Sequence, residues 1–525
     1  MKTPAPATGE ARRVATGWPR AALLSLSDKS GAAEFARVLA AHGTRLLASG
    51  GTAAFLTAAG LDVTPLEEWT GFGEMLGGRV KTLHPHVHAP ILARRGAEGD
   101  LAALRERGLE PIDLVAVTLY PFETRGANLD DAGMIEEIDV GGVALLRAAA
   151  KNHEAVIVLH DPAQYAEALA ALERGAQAED RRRWALACFA RTARYDAAIC
   201  AELARRSGPA GEPPAFHALA LERARELRYG ENPHQAAALY RRAGEPAGLE
   251  AWREGRELSY NNLLDLEAAV ALAGRFAQPA CVIVKHQEPC GAACAPTAAE
   301  AFARALATDP QSAYGGVVAL NRALDVEAAR RIAAQFVECV AFPEIAPEAD
   351  ELLRGRRNLR LVRLTAADLA PRDPWQLRLV GPWALLQRES AGEAPAWRTV
   401  SRREPGAQER DALAFAWQVC AGARSNAIAL ARGEALIGLG SGQTSRVDAV
   451  DVALMKARRA GHDVAGCALA SDGFLPFADS VTHAAGAGIT AIVQPGGSVR
   501  DADVIAEADR LGLAMVFTDR RTFRH

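Results

Sequence analysis

The feature that most constrains the fold is a repeated alternation of short apolar runs with amphipathic stretches. In the first part of the chain the apolar runs are AALLSL (21–26), TRLLAS (44–49), IDLVAVTLY (112–120) and AVIVL (155–159). Apolar strands that alternate with helices are typical of a parallel sheet covered on both faces. The pattern therefore predicts an α/β domain whose ligands bind beyond the carboxyl ends of the strands.

The same alternation continues through the longer second part of the chain. Further strands are predicted at residues 281–285, 316–320, 358–364, 427–431, 435–440, 467–471, 489–494 and 513–518. The segment AIALARGEALIGLG (427–440) is typical of two strands joined by a tight turn, so both antiparallel and parallel pairs are expected. The length of this part favours two related α/β lobes.

Composition and charge are those of a globular protein with several domains. The chain has 525 residues, of which 49% are apolar and 24% charged, and its net charge is −4. Proteins that bind nucleic acid generally are usually basic, so broad polyanion binding is not expected. The Gly- and Pro-rich stretch 207–216 marks a break. We predict a disordered tail over residues 1–20, a first domain over 21–212 and a second over 213–525.

The cysteines and the amino terminus bear on the compartment. The eight cysteines form no C-x-x-C pair, which favours free thiols in a reducing environment. The first twenty residues lack the apolar core of a signal peptide, and no apolar run approaches the roughly 18 residues of a membrane helix. We therefore expect a cytoplasmic protein.

Hydroxyl, glycine and basic residues follow the predicted strands of the first domain. SLSDKSG (25–31) and SGGT (49–52) combine hydroxyls with the free N–H groups of a helix start, which suits a phosphate group. GRVKTLHPHVH (78–88) adds basic residues and three histidines. The histidine spacing is not the usual zinc spacing and no cysteine is near, so a phosphate or carboxylate is favoured over a metal.

Three further residues each have an ordinary structural explanation. Tyr120 ends a strand and fits a core aromatic, and Asp139 precedes a Gly-Gly pair and fits a helix cap. Lys151 ends a helix, where a cation interacts favourably with the helix dipole. Taken together, they supply a tyrosine, an aspartate and a lysine near the ends of elements.

The first domain carries six motifs in a fixed order and spacing: SLSDKSG, SGGT, GRVKTLHP, LYPF, IDVGG and AAAKNH. Together they resemble the IMP cyclohydrolase half of the family of bifunctional purine biosynthesis enzymes. The family also carries phosphoribosylaminoimidazolecarboxamide (AICAR) formyltransferase activity. The resemblance implies a methylglyoxal-synthase-like domain with a parallel sheet. The resemblance also implies that this domain closes the purine ring by attack of a carboxamide nitrogen on a formyl carbon, with loss of water.

The same resemblance implies the site residues of the first domain. The catalytic set is Lys81, Tyr120, Asp139 and Lys151, with Lys151 as the expected proton carrier. The nucleotide-binding set is Ser27, Asp28, Lys29, Ser49, Gly50, Gly51, Thr52, Arg79, Val80, Thr82, Thr118, Leu119 and Val140. The family often has asparagine where this chain has Thr118, whose hydroxyl can also form hydrogen bonds.

In the second domain, VIVKHQEPCG (282–291) places Lys285 and His286 at the end of a predicted strand. An extended chain would point these two side chains to opposite faces, whereas a turn would present both. The H-x-E motif of zinc deaminases begins at His286, but it abuts a proline, and Cys290 and Cys294 are spaced as C-x-x-x-C. Zinc is therefore not favoured, and these cysteines are expected to be buried thiols.

The second half resembles the formyltransferase half of the same family through RYGENPHQ, VKHQEPCG, SAYGGVVALN, FVE, SNAI, GSGQTSR, SDGFLPF, QPGGS and RTFRH. The implied fold is a pair of cytidine-deaminase-like α/β lobes without zinc. The implied reaction transfers a formyl group from the co-substrate 10-formyltetrahydrofolate to the 5-amino group of AICAR, and its chemistry requires no metal.

The family also implies roles for residues of this half. His286 is the expected base for the amine proton, and Lys285 stabilises the oxyanion or helps to protonate the leaving nitrogen. The AICAR-binding set is Arg228, Tyr229, Gly315, Glu338, Asn426, Arg446, Phe474 and Arg521. The folate-binding set is Val447, Asp479, Ser498 and Val499.

This chain departs from the common family motifs at Gln287, Glu288 and Gly473, where K-H-A-N-P-C-G and D-A-F-F-P-F are usual. The resemblance further implies a homodimer that acts on AICAR, formyl-AICAR, IMP and folate, with no nucleic-acid or membrane partner. Because of these departures and Thr118, the hypothesis that only one half of the enzyme is active stays open. A non-catalytic nucleotide sensor and a zinc deaminase are the competing hypotheses.

Overall fold

The computed structural model describes residues 17–208, 211–243, 257–370, 375–388 and 396–525. These residues form two compact units that divide between Glu222 and Arg223, and the chain returns briefly to the first unit at Arg242. Residues 1–16 of the predicted tail lie outside the described residues. No helix in the described ranges is long and apolar enough to cross a membrane.

The first unit is built on a five-stranded sheet in which every pairing is parallel. Its strands are β1 (Ala21–Leu26), β2 (Arg45–Ala48), β3 (Val63–Pro65), β4 (Leu114–Thr118) and β5 (Ile157–Leu159). The strand order is β3-β2-β1-β4-β5. The central strands β1 and β4 are almost fully buried, as expected for a parallel sheet with helices on both faces.

Helices connect these strands. They are α1 (Ala32–Ala41), α2 (Gly50–Ala58), α3 (Leu66–Thr70), α4 (Pro85–Leu92), α5 (Glu98–Arg105), α6 (Phe122–Arg125), α7 (Asp131–Glu136), α8 (Gly141–Lys151), α9 (Tyr165–Glu173) and α10 (Ala178–Ser207). Short 3-10 helices lie at Leu76–Gly78, Gly126–Asn128 and Pro162–Gln164. Two strands, β6 (Leu221–Leu227) and β7 (Ala237–Arg242), follow as a separate two-stranded sheet.

The second unit is built on an eleven-stranded mixed sheet with the order β12-β11-β10-β8-β9-β17-β16-β18-β19-β20-β15. Its strands are β8 (Ala280–Lys285), β9 (Glu288–Cys294), β10 (Gly316–Leu320), β11 (Val337–Phe342), β12 (Arg360–Arg363), β15 (Arg398–Thr399), β16 (Ile428–Arg432), β17 (Ala435–Gly440), β18 (Ala468–Ser471), β19 (Ala491–Gln494) and β20 (Ala514–Phe517). A separate hairpin consists of β13 (Trp375–Val380) and β14 (Trp383–Arg388).

Ten helices of this unit cover the sheet in the described ranges. They are α11 (Tyr260–Ala273), α12 (Ala298–Thr308), α13 (Pro310–Ala313), α14 (Val326–Ala333), α15 (Pro347–Leu353), α16 (Ala366–Leu369), α17 (Ala407–Gly422), α18 (Arg446–Arg459), α19 (Asp479–Gly486) and α20 (Asp501–Arg510). Apolar clusters on both faces of the sheet form its core.

The large sheet consists of two lobes with the same topology, lobe A (residues 260–363) and lobe B (residues 407–517). In each lobe a helix precedes an antiparallel hairpin, β8–β9 or β16–β17. A third strand then pairs antiparallel with the first hairpin strand, and two parallel strands follow. This repetition confirms the mixed sheet and the pair of α/β lobes.

The two lobes join where β9 pairs antiparallel with β17, at Ala293 and Ala435. Because of this antiparallel joint, the turn between β8 and β9 lies at the same edge of the sheet as the carboxyl ends of β17, β18, β19 and β20. The amino ends of β10 and β11 reach the same edge. We call this edge the turn edge.

Strands β3, β6, β7, β9, β11, β13, β14 and β15 were not predicted from the sequence. β9 contains Pro289 and small side chains, so it lacks the apolar alternation that marks a strand. A Cβ at Gly291 would collide with the backbone of Ala305 in α12, so glycine allows the helix to pack closely on the hairpin. Short strands rich in small residues are therefore hidden from pattern analysis.

Candidate active sites

The carboxyl ends of β1, β2 and β4 form a continuous polar edge in the first unit. The Thr118 hydroxyl accepts a hydrogen bond from the N–H of Asp28 at 2.9 Å. The Thr52 hydroxyl accepts one from the N–H of Leu26 at 2.9 Å. These bonds join segment 27–29 to Thr118 at the end of β4, and the end of β1 to Thr52 in segment 49–52.

Lys81 lies over the first turn of α2. A Cβ at Gly50 would lie within contact distance of Lys81 Nζ, so the ammonium group lies directly against the backbone of this helix start. Lys81 donates to Glu74 Oε2 at 2.9 Å, and Arg79 forms an ion pair with Glu136. A cation beside the free N–H groups of a helix start suits an anionic ligand.

Thr82 and Asp139 meet at the start of α8. A Cβ at Gly141 would collide with the Thr82 hydroxyl, and one at Gly142 with the Asp139 carboxylate. Asp139 Oδ1 accepts a hydrogen bond from the N–H of Gly142 at 2.7 Å. Burial raises the pKa of Asp139. The Gly-Gly pair thus lets a buried carboxyl and a hydroxyl approach the helix start.

Tyr195 of α10 fixes the loop that carries Asp139, and sequence reasoning missed it. Its hydroxyl accepts from the N–H of Asp139 at 2.8 Å and donates to the carbonyl of Glu137 at 3.0 Å. Burial raises the pKa of Tyr195 to about 12. A tyrosine in a long helix belongs to no motif, so its role appears only in the folded chain.

Tyr120 and Val140 project from the same region. Tyr120 follows β4 and is 48% exposed, which excludes the core-aromatic explanation, and Val140 is also exposed. Leu119 is buried and would contact a Cβ at Gly142. The edge therefore presents Tyr120 and Val140 on its surface and Leu119 beneath it.

The structure does not bring Lys151 to this edge. Lys151 is the last of the eleven residues of α8, whose first residue lies beside Thr82. Eleven helical residues rise about 16 Å. The chain then enters β5, whose first residue pairs with Leu114 at the start of β4. Lys151 therefore lies near the opposite edge of the sheet, about one helix length from Asp139.

The histidines of 78–88 have structural contacts. His84 Nδ1 accepts from the N–H of His86 at 3.1 Å and caps α4, and burial lowers the pKa of His88. No group of three or more His, Cys, Asp or Glu that could hold a metal ion occurs in the part of the chain that the structure describes. Cys290 and Cys294 are buried, and neither forms a disulfide.

In the second unit, the hairpin β8–β9 ends in a two-residue turn formed by His286 and Gln287. Their φ angles are 56° and 66°, in the left-handed region that favours glycine. Lys285 pairs with Glu288 across the turn. The chain therefore turns at this point instead of continuing as a strand, and the His286 side chain is exposed at the turn edge.

Lys285 lies beside the start of β10. Its Nζ donates to the carbonyl of Gly315 at 2.8 Å and to that of Tyr314 at 3.2 Å. A Cβ at Gly315 would lie 3.1 Å from the same Nζ. One strand further along the turn edge, Glu338 accepts from Asn262 Nδ2 at 3.0 Å. Lys285 of β8 and Glu338 of β11, which lie on either side of β10, are thus each held by hydrogen bonds.

Arg424 connects this turn to lobe B. Its Nη2 donates to Gln287 Oε1 at 3.1 Å, and its backbone N–H donates to Glu288 Oε2 at 3.3 Å. Its guanidinium also pairs with the Glu288 carboxylate at 3.5 Å. The residues that differ from the common family motif therefore form polar contacts with the segment that leads into β16.

Lobe B contributes a buried ion pair, Arg446 with Asp472, whose side chains are 8% and 0% exposed. Arg446 also donates to Ser471 Oγ at 2.9 Å and to Asn426 Oδ1 at 2.7 Å. A Cβ at Gly473 would lie 2.6 Å from Arg446 Nη2. Glycine at this departure from the family motif therefore leaves room for the guanidinium.

The carboxyl-terminal segment packs beside this pair. The N–H of Thr522 donates to the carbonyl of Asp472 at 3.0 Å. The Arg521 guanidinium lies 5.0 Å from the ring centre of Phe523, and Phe474 is exposed. The four predicted folate residues, Val447, Asp479, Ser498 and Val499, follow the carboxyl ends of β17, β18 and β19 at the turn edge.

Arg228 and Tyr229 lie after β6. The Arg228 guanidinium lies 4.8 Å from the ring centre of Tyr229 and donates to its hydroxyl at 3.1 Å. The loop that follows contacts the start of α11, where Asn261 Nδ2 donates to the carbonyl of Glu231 at 3.4 Å. This loop is thus attached to the helix that precedes β8.

Comparison with known proteins gives two family matches. The model described as "AICARFT/IMPCHase bienzyme" matches residues 149–456, and "MGS-like domain" matches residues 31–144. A bifunctional purine biosynthesis protein PurH of Desulfitobacterium hafniense (strain DSM 10664 / DCB-2) is 46% identical over 523 residues, which cover 96% of this chain and 100% of the relative.

Two further matches were found. The bifunctional purine biosynthesis protein PurH of Acidithiobacillus ferrooxidans (strain ATCC 53993 / BNL-5-31) is 47% identical over 516 residues, with 96% of this chain and 99% of the relative covered. A solved structure, "Crystal structure of ForH", is 41% identical, covers 36% of this chain and 98% of its own, and has a TM-score of 0.33.

Proposed function

We propose, from the premise that this chain belongs to the AICARFT/IMPCHase bienzyme family, that its two reactions take place at two separate polar sheet edges. The chain is a bifunctional enzyme of purine biosynthesis. It transfers a formyl group from 10-formyltetrahydrofolate to AICAR and then closes formyl-AICAR to IMP. We assign ring closure to residues 21–212 and formyl transfer to residues 213–525.

For formyl transfer we propose that His286 is the base. 10-Formyltetrahydrofolate supplies the formyl group when it is bound. The exposed imidazole at the turn edge takes the proton that the AICAR amine loses as it attacks. The Lys285 ammonium group, held 2.8 Å from the Gly315 carbonyl, stabilises negative charge on the formyl oxygen. The turn that presents both side chains is the observation that carries this proposal.

We propose that substrate binding extends along the turn edge into lobe B. Asp472 and Ser471 orient Arg446, which leaves its guanidinium ready for an anionic or carbonyl group of AICAR. The remaining AICAR contacts are Arg228, Tyr229, Gly315, Glu338, Asn426, Phe474 and Arg521. Folate contacts Val447, Asp479, Ser498 and Val499, since these follow the ends of neighbouring strands.

For ring closure we propose that the polar edge of the first unit binds formyl-AICAR. Lys81 and the start of α2 hold its phosphate, with the other nucleotide-binding residues named from the family motifs around them. Asp139, with its raised pKa, exchanges a proton with the ring-closing groups, and Tyr120, exposed after β4, contacts the substrate. The family-implied role of Lys151 requires a separate test because that residue is about one helix length away.

We also propose a cytoplasmic homodimer that acts on small molecules and binds neither nucleic acid nor membranes. The acidic net charge of −4 and the absence of a membrane-spanning helix from the described ranges agree with this. The hairpin β13–β14 exposes apolar side chains, including Leu379 and Trp383, each 75% exposed. Exposed apolar surface of this kind is typical of protein–protein contacts.

The proposal is tested by mixing the protein with AICAR and 10-formyltetrahydrofolate and following tetrahydrofolate and IMP separately. The wild type is expected to form both products. His286→Ala should stop tetrahydrofolate formation, with the exposed histidine variant His483→Ala as the control. Lys81→Ala should raise the KM for formyl-AICAR by about tenfold or more, while formyl transfer continues.

Supplying formyl-AICAR directly separates the remaining possibilities. Loss of IMP formation in Lys151→Ala, with a normal melting curve, would support its role as proton carrier. Retention of IMP formation would favour proton exchange at Asp139. Tetrahydrofolate without IMP in the wild type would indicate that only the second half is active, and absence of both products would favour a nucleotide sensor.

A further inference from the structure

We propose that Asp265 is a positioning residue for formyl transfer, whose carboxylate holds the His286–Gln287 turn in the conformation that presents the imidazole. The inference rests on the proposed role of His286 as base. It goes further because it identifies the group that maintains the geometry of that base, a residue outside every motif that was recognised in the sequence.

Asp265 binds the turn through its backbone. The residue lies in α11 and is only 9% exposed. Its Oδ1 accepts a hydrogen bond from the N–H of Gln287 at 2.6 Å. Burial raises the pKa of this carboxyl, whereas the backbone groups of Gln287 and His286 lower it. The turn is therefore held by a buried carboxylate, which forms stronger hydrogen bonds than a neutral acceptor.

The turn needs such support because of its backbone conformation. A two-residue hairpin turn with positive φ at both positions is normally formed by Asn-Gly or Gly-Gly. Here neither residue is a glycine, and φ is 56° at His286 and 66° at Gln287. Side chains disfavour this region, so it persists only where the surroundings hold it.

Asp265 has no comparable role in its own helix. The start of α11 is already capped by Ser259, which exchanges hydrogen bonds with Asn262. Asp265 lies beyond the first turn of this helix. Its carboxylate accepts a hydrogen bond from the backbone of the β8–β9 hairpin turn. The carboxylate therefore serves the turn, and its removal is expected to alter the turn more than the helix.

The expected kinetic consequence is specific. Displacement of a catalytic group by about 1 Å can lower a rate by about 100-fold. Asp265→Ala should therefore lower the kcat of formyl transfer by about 100-fold. The KM for AICAR should stay within about threefold, because substrate binding involves other residues and a loss in kcat alone indicates poorer transition-state stabilisation.

A second substitution tests the mechanism of positioning. Gln287→Gly removes the side chain that opposes positive φ, so the turn keeps its conformation without the carboxylate. Alone, it also removes the contact with Arg424 and should lower kcat by no more than about fivefold, and combined with Asp265→Ala it should restore kcat by about tenfold or more. A merely structural role of Asp265 would not produce this recovery.

The matched control is Asp325→Ala in the same lobe. Asp325 also accepts a backbone N–H, that of Ala328, at 2.8 Å, and caps α14. This variant should lose stability without a comparable loss of formyl transfer. IMP formation from supplied formyl-AICAR, which the first unit performs, gives an internal measure of intact protein in every variant.

Each outcome decides the inference. Formyl transfer within threefold of the wild type in Asp265→Ala, or no recovery in the double variant, would overturn it. If Asp265→Ala fails to fold, Gln287→Val replaces it, because a β-branched side chain strains the same turn. That variant must lose formyl transfer and keep ring closure, or the inference is wrong. Activity in His286→Ala would instead contradict the proposed base.

Discussion

Lobes A and B of the second unit have the same topology but contribute different groups to the turn edge. Lobe A contributes a strained turn with an exposed imidazole, and the ammonium group of Lys285 lies beside it. Lobe B contributes Arg446 and Asp472, a buried ion pair that follows two strands. In the proposed mechanism, one topology thus supplies proton-transfer groups in one copy and an oriented binding group in the other.

The two lobes also use opposite ends of corresponding strands. Candidate residues of lobe B follow the carboxyl ends of β18 and β19, as the rule for α/β sheets predicts. In lobe A they lie at the amino ends of β10 and β11. The antiparallel joint between the lobes is the cause, because it turns one copy around relative to the other.

The opposite edge of lobe A, which corresponds to the ligand edge of lobe B, is occupied by structural contacts. A cavity of about 220 Å³ there is lined mainly by apolar side chains, including Phe276 and Leu364. Its Asn321 accepts from the N–H of Ala280 at 2.7 Å and donates to the carbonyl of Phe276 at 2.8 Å. Topology alone therefore does not identify the functional edge of a duplicated lobe.

The largest expected effect tests lobe A. His286→Ala should lower the rate of formyl transfer by about 1,000-fold, since a positioned general base contributes about 10² to 10⁴. The measurement is tetrahydrofolate release at saturating substrates, with His483→Ala as the control. A rate within tenfold of the wild type would show that the proton leaves by another group, and the division between the lobes would fail.

The next effect tests the ion pair of lobe B. Arg446→Met leaves Asp472 buried without its cation, so we expect the free energy of unfolding to fall by about 3 kcal/mol. Adding Asp472→Asn should recover most of that stability, because no buried charge remains. AICAR affinity should stay low in both variants, and a double variant with normal affinity would contradict the binding role of Arg446.

A smaller effect tests the connection between the lobes. Arg424→Ala removes contacts with both Gln287 and Glu288, and should lower kcat about fivefold by loosening the turn. Arg424 is about half exposed, so the pair is screened by solvent. A double-mutant cycle with Glu288→Ala should give a coupling of about 0.5 kcal/mol. Strict additivity would mean that the lobes act independently.

The smallest expected effect concerns Asp139. Asp472 is paired with an arginine, whereas burial raises the pKa of Asp139. An aspartate with a folded pKa above its unfolded value of about 3.9 stabilises the fold fully at lower pH, and this contribution is lost as pH rises through the folded pKa. Asp139→Asn keeps the cap acceptor without the charge. Its Tm should exceed that of the wild type by about 2 °C at pH 7.

The control for this prediction is pH itself. Near pH 3.5 the wild-type carboxyl is largely protonated, so the difference in Tm should disappear. The variant should also lose ring closure at every pH while formyl transfer continues. A lower Tm at pH 7 would show that the Asp139 charge stabilises the first unit, contrary to the effect of its burial.

Much of the framework could be predicted because buried strands carry a strong apolar signal. The run 21–26 coincides with β1, and 316–320 coincides with β10. Whether Lys285 and His286 continue a strand or form a turn was resolved only by the folded chain, in which the left-handed backbone of His286 forms a turn. A motif thus indicates the chemistry of a segment, but not its conformation.

The residues that sequence reasoning missed act through backbone atoms or across the fold. Tyr195 and Asp265 bind backbone N–H groups of distant loops, and Arg424 contacts a turn 137 residues earlier. The role of Lys151 stays a prediction, since the structure places this residue at the end of α8, about one helix length from Asp139. Such placements depend on tertiary packing, which no local pattern specifies.

The most direct test of the division between the lobes measures AICAR affinity and formyl-transfer rate in the same two proteins, His286→Ala and the double variant Arg446→Met with Asp472→Asn. Calorimetry should give an unchanged AICAR Kd for the first protein, whose rate is lost. The second should show a raised Kd, with a rate that recovers substantially at saturating AICAR. Loss of affinity in the first protein, or normal affinity in the second, would contradict the account.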